Sequence, residues 1–349
     1  MTIDARERRE ELTMRAVGFR RYGAPEVLEE LEVARPAPRL GEVLLKVAAA
    51  GVNPADWALR GGRLRPFVRL KLPFEPGSDV AGVVEAVGPG VTRFGPGEVV
   101  YAMTPTSEGG GYAEYVAVAE DHVARVPPGL SLGEAAAVPL VSLTALQALR
   151  DRAGLAAGDH ILINGASGGV GSFAVQISKA MGARVTATCS ARNAELVRGL
   201  GADEVLDYAG DGATGGPRYD VIFGAVNTLP ISRWRRALPP GGRIVTVNPL
   251  FENAVLAWLA RVVGCVRLEG VLVRPSGADL ETISAWISAG KVRPVVDRTY
   301  PLADAAEAHR YSESRRVRGK LVLIVDERLA SARSAESVRS GEVPGGTAA

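Results

Sequence analysis

The segment that most narrows what this chain can fold into is a short apolar run that ends in glycines. Residues 160–164 read HILIN, and Gly165-Ala166-Ser167-Gly168-Gly169-Val170-Gly171 follows at once. A helical pattern over 170–181 comes next. A strand-to-helix turn needs small residues when its backbone must approach a pyrophosphate seated on the helix N-terminus. The spacing Ala166-x-Gly168-x-x-Gly171 is the dinucleotide fingerprint with alanine in the first position. A glycine cluster alone is weak evidence, because tight surface turns use the same residues. Here strand, turn and helix stand in the required order. The sequence therefore predicts that Ala166, Ser167, Gly168, Gly169, Val170 and Gly171 hold a nucleotide.

The surrounding pattern extends this unit. Helices are expected over 142–152 and 191–200, and strands over 184–189, 204–207, 219–223, 243–247 and 267–271. Such alternation predicts an α/β fold with a Rossmann, doubly wound parallel sheet over 140–297. The preceding region has another texture. From Met14 to about Pro139, β-like runs at 42–49, 80–87, 98–102 and 112–118 alternate with Gly/Pro turns such as Gly88-Pro89-Gly90 and Gly95-Pro96-Gly97. Short, evenly spaced strands suggest a twisted antiparallel barrel or sandwich. The apolar run 320–325 (KLVLIV) is placed to return to it, so the first domain is expected to comprise 14–139 and 298–326. Residues 1–13 read as a charged leader. Residues 327–349 are small and polar and are expected to form a disordered tail, since they bury too little to offset their ordering entropy.

Composition excludes several function classes. Of 349 residues only two are cysteines, Cys189 and Cys265, which cannot supply a disulfide scaffold or a four-cysteine zinc site. The three histidines, His122, His160 and His309, read as ordinary structural residues or, for His160, as a strand opener. A net charge of +2 gives no general reason to bind nucleic acid or anionic lipid, so neither is expected as a partner. No run approaches the ~20 apolar residues of a membrane helix. The leader mixes Asp4, Glu7, Glu10 and Glu11 with arginines and reads as neither signal nor transit peptide, which leads to a cytoplasmic expectation.

Cofactor choice is read from the end of the second strand of the fingerprint. An NAD site usually carries an acid ~20 residues past the glycines, on the ribose hydroxyls. This chain has Thr188-Cys189-Ser190-Ala191-Arg192 there, with no acid before Glu195. A hydroxyl and a guanidinium suit a 2′-phosphate. Ser190 and Arg192 therefore point to NADPH.

The run 158–171, continuing to Gln176 and Lys179, resembles the signature of the quinone oxidoreductases, in the zinc-independent branch of the medium-chain dehydrogenases/reductases. Further segments are similar to that family: 50–57 (AGVNPADW), 76–82 (PGSDVAG), 111–115 (GYAEY) and Gly319-Lys320-Leu321-Val322. The likeness spans roughly Met14 to Asp326, and within the family 53–57 with 73–77 most resembles the chloroplast-envelope and alkenal/one reductase types. It implies a chaperonin-10-like β domain on the substrate side, a Rossmann domain carrying NADPH, and a homodimer. Zinc-dependent relatives carry a cysteine where this chain has Ala49 and Ala50, and a His-Glu pair where it has Ser78-Asp79. No metal is expected.

Without a Lewis acid, hydride addition to an already polarised small-molecule acceptor, a quinone or an α,β-unsaturated carbonyl, remains feasible. The resemblance implies Asn53 as the amide that stabilises the developing enolate; an asparagine before Pro54 also suits a turn whose side chain serves its own backbone. Asp56 is expected beside it, and Trp57 either beside it or in the core. Tyr112 and Tyr115 read as structural, leaving solvent to protonate the product. By motif, Thr144 would face the nicotinamide, Tyr208 the adenosine phosphate, and Lys320 the cofactor. The segment Phe223-Gly224-Ala225-Val226-Asn227 departs from the family's Asp-x-Val-Gly, and Asn227 is expected to take over a polar contact. Two other readings remain open. One is an enoyl-thioester reductase whose pantetheine phosphate meets Arg63, Arg65 and Arg69. The other is a non-catalytic NADPH-binding regulatory protein.

Overall fold

The computed structural model describes residues 12–209, 219–226, 231–247 and 267–333. They divide into two compact units. One comprises the chain up to Ala136 with Tyr300–Ala308 and the residues from Val322 onward; the other comprises Ala137–Thr299 with His309–Leu321.

The first unit is built on antiparallel strands. Its central strand, Glu42–Val52, pairs antiparallel with Asp79–Val87 on one side and with Tyr115–Ala119. Val99–Met103 and Val123–Arg125 extend the sheet beyond Asp79–Val87. Alternation sends Val43, Leu45, Val47, Val80, Val84, Val100, Val116 and Val118 into one apolar core. The register shifts between Val47 and Ala49. The bulge turns the Ala48 carbonyl outward to accept N–H bonds from Val325 (2.9 Å) and Asp326 (3.1 Å), which ties the chain's late return to the central strand. A hairpin of Thr13–Gly18 and Glu29–Ala34 completes the unit.

The second unit is a six-stranded sheet with every neighbour parallel, in the order Glu204–Asp207, Arg184–Cys189, His160–Asn164, Val221–Gly224, Arg243–Thr246, Arg267–Gly270. This is the 3-2-1-4-5-6 order of a dinucleotide-binding sheet. Strands buried on both faces need apolar runs, and Ile161, Leu162, Ile163, Val221, Ile222 and Phe223 are all fully buried. Trp234, Ala237 and Leu238 pack on Leu162, Ile222 and Ile244.

Several expectations change. The strand expected at 112–118 begins at Tyr115, because Tyr112 and Ala113 instead pair with the first hairpin through the Val17 N–H to Tyr112 O bond (2.8 Å) and an Ala16–Ala113 bridge. The helix expected over 142–152 is an α-helix at Pro139–Leu146 that widens into a π-turn at Gln147–Arg152. There the Gln147 amide donates to the Arg274 carbonyl (2.9 Å) and accepts the Arg274 N–H (3.0 Å), and Arg150 pairs with Asp279 (2.7 Å). The helix expected over 191–200 divides into a 3-10 turn and Ala194–Gly199.

The expected tail starts too early: Glu327–Ser331 is a helix whose Asp326 side chain accepts the N–H groups of Arg328 and Leu329, and residues 334–349 lie outside the described residues. The leader is shorter than expected, since Thr13 already opens a strand. Finally, 298–326 does not stay with the first unit throughout. Residues His309–Leu321 join the second, where Gly319 N–H donates to Ser167 O (2.9 Å) and Tyr311 Oη–H to Asp297 (3.0 Å).

Gly82 sits where the two longest strands of the first sheet press together: a β-carbon there would overlap the Lys46 carbonyl and come within 3.1 Å of Val47 Cα. Around Gly95 nothing lies within 4 Å of such a carbon. Gly82→Ala should therefore cost about 1–3 kcal/mol or more, and Gly95→Ala should be within about 0.5 kcal/mol of the parent. Thermal melts of the two variants check the contrast.

Candidate functional site

In the second unit, the turn between His160–Asn164 and Gly169–Ala180 is shaped by backbone. Gly165 has φ +81°, a left-handed conformation that glycine adopts without a Cβ penalty. A β-carbon on Gly171 would overlap the Gly165 carbonyl and stand 2.8 Å from Ala166 Cα, so only glycine lets the helix close on the strand. Gly168 caps the helix with extended backbone, and a β-carbon there would meet only Gly165 O, at 3.6 Å. The position beside Gly168 is thus open. The first-turn N–H groups of a helix have no intrahelical acceptor, and the twelve-residue length adds a positive dipole end. An anionic pyrophosphate fits this cradle.

The cradle is braced from three sides. Ala166, fully buried, donates its N–H to Thr188 O (3.0 Å). Asn193 Nδ2 donates to Ser167 Oγ (3.0 Å), and Gly319 N–H donates to Ser167 O while Gly168 and Gly319 form a parallel bridge. Asn164 accepts from Thr188 Oγ1 (2.8 Å) and donates to Val226 O (2.9 Å). Lys320 is buried, and its Cδ would lie 3.2 Å from a β-carbon on Gly169, so its stem packs against the helix start. Sequence reasoning missed Asn193 and Gly319 as braces; nothing in their spacing announces a contact with Ser167.

The remaining residues expected at the cofactor divide. Ser190 begins the 3-10 turn after Arg184–Cys189, and Arg192 on that turn is exposed and forms no ion pair among the described residues. Tyr208 is 55% exposed and donates its N–H to Cys189 O (3.2 Å), placing it one strand over from Ser190. Thr144 is buried in the Pro139–Leu146 helix and gives its hydroxyl hydrogen to Leu140 O (2.6 Å), so only its lone pairs are left to another group. Cys189 is a buried free thiol with its pKa pushed up by burial, which disfavours the thiolate. Asn227 and Cys265 lie outside the described residues.

The first unit holds a different cluster. Pro54 opens the Pro54–Arg60 helix with Asn53 as its cap, and the two ends of the turn interlock: Asn53 N–H donates to Asp56 Oδ2 (2.7 Å) and Asp56 N–H to Asn53 O (3.0 Å). The Asn53 amide reaches Asp79 Oδ2 at 2.9 Å and stands 3.5 Å from Gly51 O. Tyr112 Oη donates to Asp56 Oδ2 (3.3 Å). Asn53, Asp56, Asp79 and Tyr112 are all buried, and burial, then the Asp56 carboxylate, holds the Tyr112 phenol well above its ordinary pKa. Tyr112 therefore remains a fixed donor.

Asn53 stands at the centre of this cluster. Its exposure is 0%, and its amide is turned to a carboxylate 26 residues away. The amide thus serves more than its own backbone. Trp57 is half-buried under the Arg63 guanidinium, 5.2 Å from the ring centre. Ala49, Ala50, Ser78 and Asp79 are fully buried. Two methyls, a hydroxyl and carboxylates already holding N–H and O–H donors do not fit a catalytic zinc, which needs about three Cys, His or carboxylate ligands. No group of three such residues occurs among the described residues.

Comparison with known proteins places both units. Residues 39–128 match the family model described as an alcohol dehydrogenase GroES-like domain, and residues 200–323 the one described as a zinc-binding dehydrogenase. The chain is 38% identical over 323 residues to the chloroplast envelope quinone oxidoreductase homolog of Arabidopsis thaliana, covering 89% of this chain and 98% of that protein. It is 35% identical to a quinone oxidoreductase of Sus scrofa, with 89% and 98% covered. The structure of the quinone oxidoreductase from Coxiella burnetii superposes with a TM-score of 0.81 at 31% identity, covering 90% of this chain and 99% of that one. No helix among the described residues is long and apolar enough to cross a membrane.

The two cradle glycines separate fold from binding. Gly168→Ala introduces no clash and should leave the melting temperature unchanged while weakening dinucleotide binding, because the new methyl occupies the phosphate's space. Gly171→Ala should lower the melting temperature as well. Nucleotide titration alongside thermal melts reads both; undiminished binding by Gly168→Ala would contradict the cradle.

Proposed function

Because the chain belongs to the quinone oxidoreductase family of the medium-chain dehydrogenases/reductases, we propose that it transfers a hydride from NADPH to a quinone or an α,β-unsaturated carbonyl without zinc. When bound, NADPH supplies the hydride. The observation that carries the reading is the donor set of the first unit: at the positions where a metal would be held stand alanine, serine and an aspartate engaged by Asn53. An acceptor that is already polarised can take a hydride without the Lewis acid that alcohol oxidation requires.

The roles of the residues follow from their surroundings. The N–H groups at Gly169, Val170 and Gly171, with Ala166, Ser167 and Gly168 beneath them, hold the pyrophosphate. Ser190 and the exposed Arg192 bind the 2′-phosphate, with Tyr208 beside the adenosine. Thr144 offers lone pairs to the nicotinamide amide, and Lys320 adds a polar contact. On the acceptor side, Asn53 and Asp56 act as positioning residues that fix the strand end and the first turn of the helix. The Tyr112 hydroxyl is directed at Asp56, and solvent is the proton source in this proposal. A homodimer working on a small molecule in the cytoplasm belongs to the same proposal.

The test is NADPH oxidation measured against quinones, enones and enoyl thioesters. Turnover with the first two supports the proposal. Turnover confined to thioesters transfers it to the biosynthetic reading, and tight NADPH binding without turnover leaves a binding protein. Arg192→Ala should raise the Kd for NADPH roughly 10- to 100-fold, the loss of one or two charge-assisted hydrogen bonds, and leave NADH nearly unchanged. Equal losses would contradict the 2′-phosphate assignment. Asn53→Ala should lower turnover with cofactor affinity intact.

A further inference from the structure

A net charge of +2 conceals a local imbalance. From Trp57 to Phe74 the chain carries Arg60, Arg63, Arg65, Arg69 and Lys71 and no acidic residue. The fold turns this into a surface. Leu64, Val68, Leu70 and Leu72 pack with Tyr22, Val27 and Leu28 against Phe19, Leu59 and Phe74, while Arg63, Arg65, Arg69 and Lys71 are exposed. Arg60 is buried and does not contribute. Arg65 lies over the Tyr22 ring (4.8 Å) as Arg63 does over Trp57, which orders both guanidinium groups without neutralising them. None of the four exposed cations forms an ion pair among the described residues. Between them, just after Pro66, Phe67 is 59% exposed.

We propose that this loop docks the protein on an anionic lipid bilayer, with the four cations on headgroup phosphates and Phe67 in the interface. A cluster of four cations on an apolar footing is the composition that anionic membrane surfaces attract. Phe67 decides between partners: at a bilayer interface a phenyl ring leaves water among acyl chains, while its neighbours keep their charges in the headgroup layer. A polyanion in water offers the cations the same phosphates and gives Phe67 less cover. With charge balanced elsewhere, association is reversible and salt-sensitive, each basic residue adding roughly fivefold to affinity. The inference does not rest on the proposed reaction, since binding is measured without turnover.

Sedimentation of the full chain with phosphatidylcholine vesicles, with and without phosphatidylglycerol, tests it. Binding is expected only with phosphatidylglycerol and should vanish at roughly 0.5 M salt, where screening acts within a few Å. Arg65→Gln with Arg69→Gln should weaken it at least tenfold. Phe67→Ser, at an exposed position, should weaken it several-fold with the melting temperature unchanged. Absence of binding to anionic vesicles would overturn the proposal, as would full binding by the double variant. Two further results would overturn it: vesicle binding indifferent to Phe67→Ser, with heparin bound equally well, or a soluble coenzyme A thioester that binds through the same arginines while vesicles do not.

Discussion

The carbonyl of Gly165 occupies the place that a side chain on residue 171 would need. That contact sets the angle at which the Gly169–Ala180 helix leaves the sheet, and so where its N-terminus points. The second unit then braces the loop it creates: Thr188 holds Ala166, Asn193 holds the Ser167 hydroxyl, and Gly319 holds the Ser167 carbonyl. Strand order places these braces at the carboxyl end of the central strands, where open parallel sheets bind ligands. The shape of the cradle is therefore a consequence of backbone approach, with side chains acting as supports.

The first unit solves a different problem, the burial of two carboxylates. Buried charge is costly unless it is hydrogen-bonded. Asp56 takes the Asn53 N–H and the Tyr112 hydroxyl, and Asp79 takes the Asn53 amide. Asn53 thus links a strand end, a helix cap and the neighbouring strand through one residue. One oxygen of each carboxylate is engaged in this way.

Local signals were the legible ones. The run from His160 to Gly171 announced strand, turn and helix within twelve residues, and the alternation after it announced a doubly wound sheet. The chain's return near 320–325 was legible as an apolar run, and its tie to the Ala48 carbonyl was not, because a bulge leaves no compositional trace. What escaped notice was set by distance in the sequence. Asp79 lies 26 residues from Asn53, Arg274 lies 127 from Gln147, and Gly319 more than 150 from Ser167, and no periodicity connects them. Composition also misled by averaging: the short helix after Asp326 sits in a polar tail, and the basic loop at 63–71 sits in a chain of balanced charge.

The proposed reaction, hydride delivered from a nicotinamide cofactor to an activated carbon with no metal, rests on the cradle and on the buried cluster. The most direct measurement uses NADPH deuterated in turn at each of its two C4 positions, an enone acceptor, and protein dialysed against a chelator. The account predicts turnover unchanged by the chelator and, from one of the two labelled positions, one deuterium on the β-carbon of the product. Activity lost on chelation and restored by zinc, or a product free of deuterium from both labels, would contradict it.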